Sequence, residues 1–286
     1  MRRLAGVLLI VAVAGCTGDG PGLGLGTPPK PTTTSSPVTS TVPPVVECPG
    51  AGEFEEGSGI AVVDGEGSDS VSLGHISWEI SDQCETFVFE FETAEGAPAT
   101  TVPDVAVSHL ESFQVIRLSL GVTSTVVSDQ LVETALVDRL YVVRAFDGGM
   151  FVDLHLSAPA AARARVDASP ARLTIDLRPG FVEFEGASVT GEQVVVVSPG
   201  TGASVDPVTR VMGYVRSEQP AIALTVTQEG AVVTETGTVA VETGGGGWGE
   251  FSHELGLPPG NISVQVGVAS QDDDGPEQVT LDLAVS

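Results

Sequence analysis

A chain of 286 residues with 42% hydrophobic side chains can bury substantial cores, and its length fits two domains better than one. Valine, alanine and 35 glycines outweigh an aromatic share of only 5%, a balance that favours strands and turns over helices. With 12 lysines and arginines against 38 acidic residues the formal charge is −26, a field that excludes nucleic acid as a partner and repels anionic lipid headgroups.

Arg2 and Arg3 precede an apolar run at residues 4–14, whereas a membrane-spanning helix needs about 20 residues. The pattern predicts a signal peptide over residues 1–15. Its end, VAGC at residues 13–16, resembles the bacterial lipobox. That resemblance implies cleavage just before Cys16, acylation of its thiol with diacylglycerol, and a protein held by this lipid at the outer face of the cytoplasmic membrane. An ordinary cleaved signal with an incidental cysteine is the alternative. Residues 16–46 are rich in Gly, Pro, Ser and Thr, contain the single lysine, Lys30, and show no hydrophobic period, so they read as a disordered linker. Such a length reaches roughly 30 Å as a flexible coil and roughly 90 Å in polyproline II.

The remaining cysteines are Cys48 and Cys84. In an exported chain their simplest reading is one disulfide, worth about 3.8 kcal/mol in the chain-entropy account of a loop this long. Two buried free thiols are the alternative. Short strands follow. In TFVFEFET, Phe87, Phe89 and Phe91 share one face and Val88 and Glu90 the other, the period of two that a half-buried strand requires. FQVIRLSL sets Ile116, Leu118 and Leu120 inward against Arg117 and Ser119. MFVDLHL sets Met150, Val152, Leu154 and Leu156 against an outward Phe151, Asp153 and His155, and ARLTIDL sets Leu173, Ile175 and Leu177 against Arg172, Thr174 and Asp176. VSDQLVETALVD is the one candidate for a short helix. The expected product over residues 47–188 is a β-sandwich.

The stretches SDQCETFVFEFET, VSHLESFQVIRLSL, VVRAFDGGMFVDLHL and SPARLTIDLRP are similar to the AMIN-like domain of actinobacterial exported lipoproteins. The resemblance covers most of residues 70–180 and implies a β-sandwich module directed at peptidoglycan or the envelope. Residues 189–286 carry about seven further short strands, with a hairpin turn expected at Glu229-Gly230 and Ile262, Val264, Val266 and Val268 on one face, which fits an immunoglobulin-like sandwich. Ser198-Pro199, Val211-Met212-Gly213, the glycine run before Trp248-Gly249-Glu250-Phe251, Leu257-Pro258 and Asp274-Gly275 resemble the immunoglobulin-like domain of bacterial spore germination proteins. The expected whole is therefore all-β: two sandwiches in tandem behind a disordered linker.

Residues that could carry chemistry are sparse. His75, His109, His155 and His253 never fall at zinc-binding spacing, there is no GxSxG elbow, and Lys30 lies in the linker, so neither a metal nor another cofactor is expected. The Gln271 to Gly275 stretch reads as a solvated acidic turn rather than a calcium loop. Glu53, Glu55 and Glu56 are carboxylates that nothing in the sequence pairs. Trp248 is either a core or turn residue or an exposed contact aromatic, and is the one candidate for surface contact. The expected function is that of a lipid-anchored, non-catalytic binding or adaptor protein recognising cell-wall glycan or an envelope protein. An envelope enzyme with an unrecognised carboxylate site and a structural spacer or complex subunit are the alternatives; oligomeric state is left open.

Overall fold

In a computed structural model of the chain the described residues are 48, 50, 52–55, 59–81, 84–110, 114–181, 184–216, 221–243, 247–268 and 277–286. The signal and linker expectations, with Cys16 and Lys30, lie outside them, as do Glu56 and the acidic turn at residues 271–275. Among the described residues the protein is all-β, without a helix.

The first half contributes β1 (Ala61–Val63), β2 (Ser72–Ser81), β3 (Cys84–Glu92), β4 (Val105–Leu110), β5 (Val115–Leu120) and β6 (Ser124–Thr125). It continues with β7 (Asp129–Leu131), β8 (Val137–Arg144), β9 (Met150–Leu156), β10 (Ala160–Asp167) and β11 (Arg172–Pro179). Five of these form a sheet in the order β10-β11-β3-β2-β6, while β1-β4-β5-β9-β8 run side by side in a larger sheet. Period-two patterning sets the inner faces: Phe87, Phe89 and Phe91 from β3 and Leu173, Ile175 and Leu177 from β11 meet Ile116, Leu118, Leu120, Val152 and Leu154 in one core. Each such side chain, fully buried, contributes about 1.5–3 kcal/mol. Cys48 and Cys84 are joined in a disulfide, 5.5 Å between Cα atoms.

The second half contributes β12 (Ala187–Thr190), β13 (Val194–Thr201), β14 (Ser204–Val205), β15 (Val208–Val215) and β16 (Ala221–Gln228). Then come β17 (Ala231–Val239), β18 (Trp248–Gly256), β19 (Gly260–Val268) and β20 (Glu277–Val285). A five-stranded sheet in the order β14-β20-β19-β16-β17 packs Ile262, Val264, Val266 and Leu281 against Val194, Val196, Val211 and Phe251 of β13, β15 and β18. The β16–β17 hairpin turns at Glu229 and Gly230, where the sequence predicts it. Both have positive φ, 52° and 80°, as the two-residue turn that matches strand twist demands.

The larger sheet does not stop at the end of the first half. A two-residue parallel ladder, Trp248 with Val143 and Gly249 with Arg144, joins β18 to β8 and carries the sheet on through β15, β13 and β12. There the sheet folds back on itself. His155 on β9 and Ser188 on β12 are five strand steps apart, which in an open sheet would separate them by about 24 Å, yet His155 Nδ1 lies 3.2 Å from Ser188 Oγ. Gly249 sits at this crease because a Cβ there would come within 1.9 Å of the Val241 carbonyl oxygen.

No helix forms in VSDQLVETALVD. Asp129, Gln130 and Leu131 pair instead with Tyr141, Leu140 and Arg139 of β8, and the chain turns at Glu133, where φ is 53°. Val132 and Leu136 thereby reach the first core, which outweighs the modest helix propensity of this segment.

Candidate functional site

The inward face of β9 is as the alternation predicts, but its other face is equally buried. His155, expected outward on the surface, is 6% exposed, and Asp153 is fully buried. The reason is the folded sheet, which lays β13, β15 and β18 over the outer face of β5, β8 and β9. Val115, Tyr141, Val143 and Phe151 from one side meet Val195, Val197, Tyr214 and Trp248 from the other in a third apolar cluster. The chain has two tyrosines and two tryptophans, and three of these four residues stand in this seam. Trp248, the expected surface contact, is 2% exposed, so it is an interior anchor rather than a contact aromatic. Its ring lies edge-on to Tyr141 at 5.0 Å, with the Arg216 guanidinium 5.0 Å above it.

Polar groups in the seam are matched to one another. Arg117 donates from Nε and Nη2 to the two Asp153 oxygens at 2.8 and 2.7 Å, lies 3.9 Å over the Phe151 ring, and has Glu250 of β18 at 3.9 Å. Burial pushes the Asp153 carboxyl up and the Arg117 charge pulls against it. His155 bonds to the Tyr214 hydroxyl and to Ser188. Burial, with the Arg117 and Arg139 charges, pushes its imidazole down to about 3, so the ring is neutral, with one nitrogen donating and the other accepting. Burial raises the Tyr214 phenol well above its ordinary value. Arg216 donates to Ser128 Oγ at 3.1 Å and pairs with Asp129.

A second buried network lies on the outer face of the smaller first-half sheet. Asp176 accepts from Arg163, Arg165 and Thr86. Burial works to raise its carboxyl, but hydrogen bonds from Arg165, Arg163 and Thr86 outweigh burial and hold it below the usual range. A strap of early residues covers it: Gly50 and Gly52 accept from Arg163 through their carbonyls at 2.9 and 3.3 Å, and Glu55 exchanges backbone bonds with Ala162. The Phe54 ring has the Arg163 and Arg178 guanidinium groups at 4.6 and 4.4 Å. The disulfide fixes the start of this strap to the start of β3. Asp176 and His155 are therefore in separate sheets with separate partners.

Of the other singled-out residues, His75 is exposed, His109 is buried in β4, and His253 lies 3.3 Å from Thr236 Oγ1. Glu53 and Glu55 sit on the strap. Among the described residues no three His, Cys, Asp or Glu side chains are grouped to hold a metal ion. Sequence patterning missed the seam, although one signal was present: a charged residue, Asp153, inside an otherwise apolar strand beside an aromatic. A cleft of about 350 Å³ opens beside the seam, between residues 124–128 and residues 243 and 247–248. No family model matches the chain, and no curated protein or solved structure matches it.

Proposed function

We propose that this chain is a lipid-anchored binding or adaptor protein of the bacterial envelope, non-catalytic, carrying two sandwich domains in tandem. Residues 47–188 form the AMIN-like domain and residues 189–286 the immunoglobulin-like domain of the spore germination type, set on the linker of residues 16–46 and the acylated Cys16. It recognises cell-wall glycan or an envelope protein.

The observation that carries this reading is the use to which the buried ionisable groups are put. Asp153 is engaged by Arg117, Asp176 by two arginines, and His155 by Tyr214, all inside packed interiors. A general base must reach a substrate proton; these groups hold the fold together, and the open clefts are left for recognition. The Arg2-Arg3 start and VAGC at residues 13–16 support the anchor.

Two experiments test the reading. Cells grown with a radiolabelled fatty acid are expected to label the wild-type chain and not Cys16→Ala. The purified chain is expected to sediment with insoluble cell wall. Release of soluble fragments from purified peptidoglycan would replace this reading with the envelope enzyme, and absence of retention would leave a spacer or complex subunit.

A further inference from the structure

We propose that the cleft beside the crease is a binding site for a saccharide bearing a carboxylate. This deepens the envelope-binding reading above and rests on it for the source of the ligand.

The cleft is built from both halves: Ser124, Thr125 and Ser128 come from the stretch around β6, Arg144 from the end of β8, and Thr243 and Trp248 from the approach to β18. Its volume of about 350 Å³ stands at the small end of the roughly 300–1,000 Å³ range of ligand pockets. That suits one sugar unit better than a flat length of polymer. Junctions between modules are also a preferred place for such sites.

Charge singles this cleft out. In a chain of 38 acids, four other clefts each include a carboxylate, with Asp104, Asp282, Asp206 and Glu53 as examples, whereas no acid lines this one. It contains a half-buried arginine instead. Arg144 donates to the Thr123 carbonyl oxygen at 3.2 Å and has no carboxylate partner among the described residues. A guanidinium presents a planar fork that a carboxylate matches with two hydrogen bonds.

A second feature of the cleft, its hydroxyl groups, points to a polyhydroxylated ligand. Four hydroxyls, on Ser124, Thr125, Ser128 and Thr243, stand around the same space. Each of them already bonds to protein, and each hydroxyl oxygen retains capacity to accept from a sugar hydroxyl.

The field of the whole molecule then selects the kind of anion. A small free anion approaches against a net charge of −26 and gains one guanidinium. A carboxylate carried on a polyhydroxylated body gains the hydroxyl contacts of Ser124, Thr125, Ser128 and Thr243 as well, so the saccharide supplies what the charge alone does not.

Calorimetric titration of the full chain tests this with three probes: N-acetylmuramic acid, N-acetylglucosamine, which lacks the carboxylate-bearing ether, and inorganic phosphate. The acidic sugar is expected to bind at least tenfold more tightly than either of the others. Arg144→Gln is expected to remove that tenfold preference, Thr243→Val to weaken both sugars, and Arg210→Gln, at a different cleft, to change nothing. Circular dichroism confirms that each variant is folded, and Thr243→Val stands in should Arg144→Gln fail to fold. Equal affinity for both sugars, phosphate binding as tight as the acidic sugar, or no binding of any probe overturns the proposal. Cell-wall retention of the same preparation separates the two ideas: a chain that sediments with wall but ignores all three probes refutes the cleft and keeps the envelope reading.

Discussion

Removing the Asp153 carboxylate leaves the Arg117 guanidinium in the seam with Glu250, 3.9 Å away, as its one remaining counter-charge among the described residues. Because Asp153 is fully buried, Asp153→Ala is expected to destabilise the protein by about 3–5 kcal/mol, the usual penalty for orphaning half of a buried pair. Replacing both partners by apolar residues, Arg117→Met with Asp153→Leu, is expected to recover most of that loss; urea titration of the two variants reads the difference. His155 makes a separate prediction. Its folded value near 3 lies below the ordinary 6.5, so between these pH values the unfolded chain binds a proton that the folded chain does not. Stability contributed by the neutral ring is therefore complete above pH 6.5 and is lost as pH falls toward 3. The thermal midpoint of the wild type is expected to drop more between pH 7 and pH 5 than that of His155→Gln, and equal slopes would remove His155 as the cause. Asp176, held low by its arginines, loses its contribution in the same direction at lower pH, while Asp153, raised by burial, works the opposite way. The period of two shows which residues share a face, which is why Phe87, Phe89 and Phe91 were legible. It says nothing about whether the second face is later covered, and so Asp153, His155 and Trp248 were not.

Turns and short ladders decide how the elements are joined. The Glu229-Gly230 turn was readable because two exposed residues, one of them a glycine that accepts positive φ, stand between alternating runs and leave few other geometries. Glu229 itself holds a φ of 52° that glutamate adopts reluctantly. Glu229→Asn, better suited to the left-handed region, is expected to stabilise the protein by about 1 kcal/mol, seen as a higher denaturant midpoint with an unchanged slope. The segment around Asp129 shows the opposite case. Local spacing allowed a helix there, but β8 offered an open edge and the core offered room for Val132 and Leu136. Long-range pairing of that kind leaves no mark at the spacing of a few residues.

Two apolar cores and one aromatic seam describe the molecule between Cys48 and Ser286. Alternation made four of the eleven first-half strands and about seven of the nine second-half strands legible; the sheet that runs through both halves was not, because its link is a ladder of only two residues. Tyr214 is the seam's central side chain, in ring contact with Tyr141, Phe151, His155 and Trp248. The wild type is expected to unfold in one cooperative transition despite its two cores. Tyr214→Ala is expected to cost about 3–5 kcal/mol and to separate the halves into two transitions, visible in calorimetry and as a smaller denaturant slope. A single transition at unchanged slope in the variant would mean that the seam does not couple them.

The disulfide between Cys48 and Cys84 also has a mechanical side. Tension arriving along the chain ahead of Cys48 crosses the sulfur bridge directly to the first residue of β3, a strand hydrogen-bonded on both sides by β2 and β11. Residues 49–83, with the strap, β1 and β2, lie inside the covalent loop and are spared extension. A pull is thus delivered to the middle of a sheet, where hydrogen bonds must shear together rather than be peeled one by one from an edge.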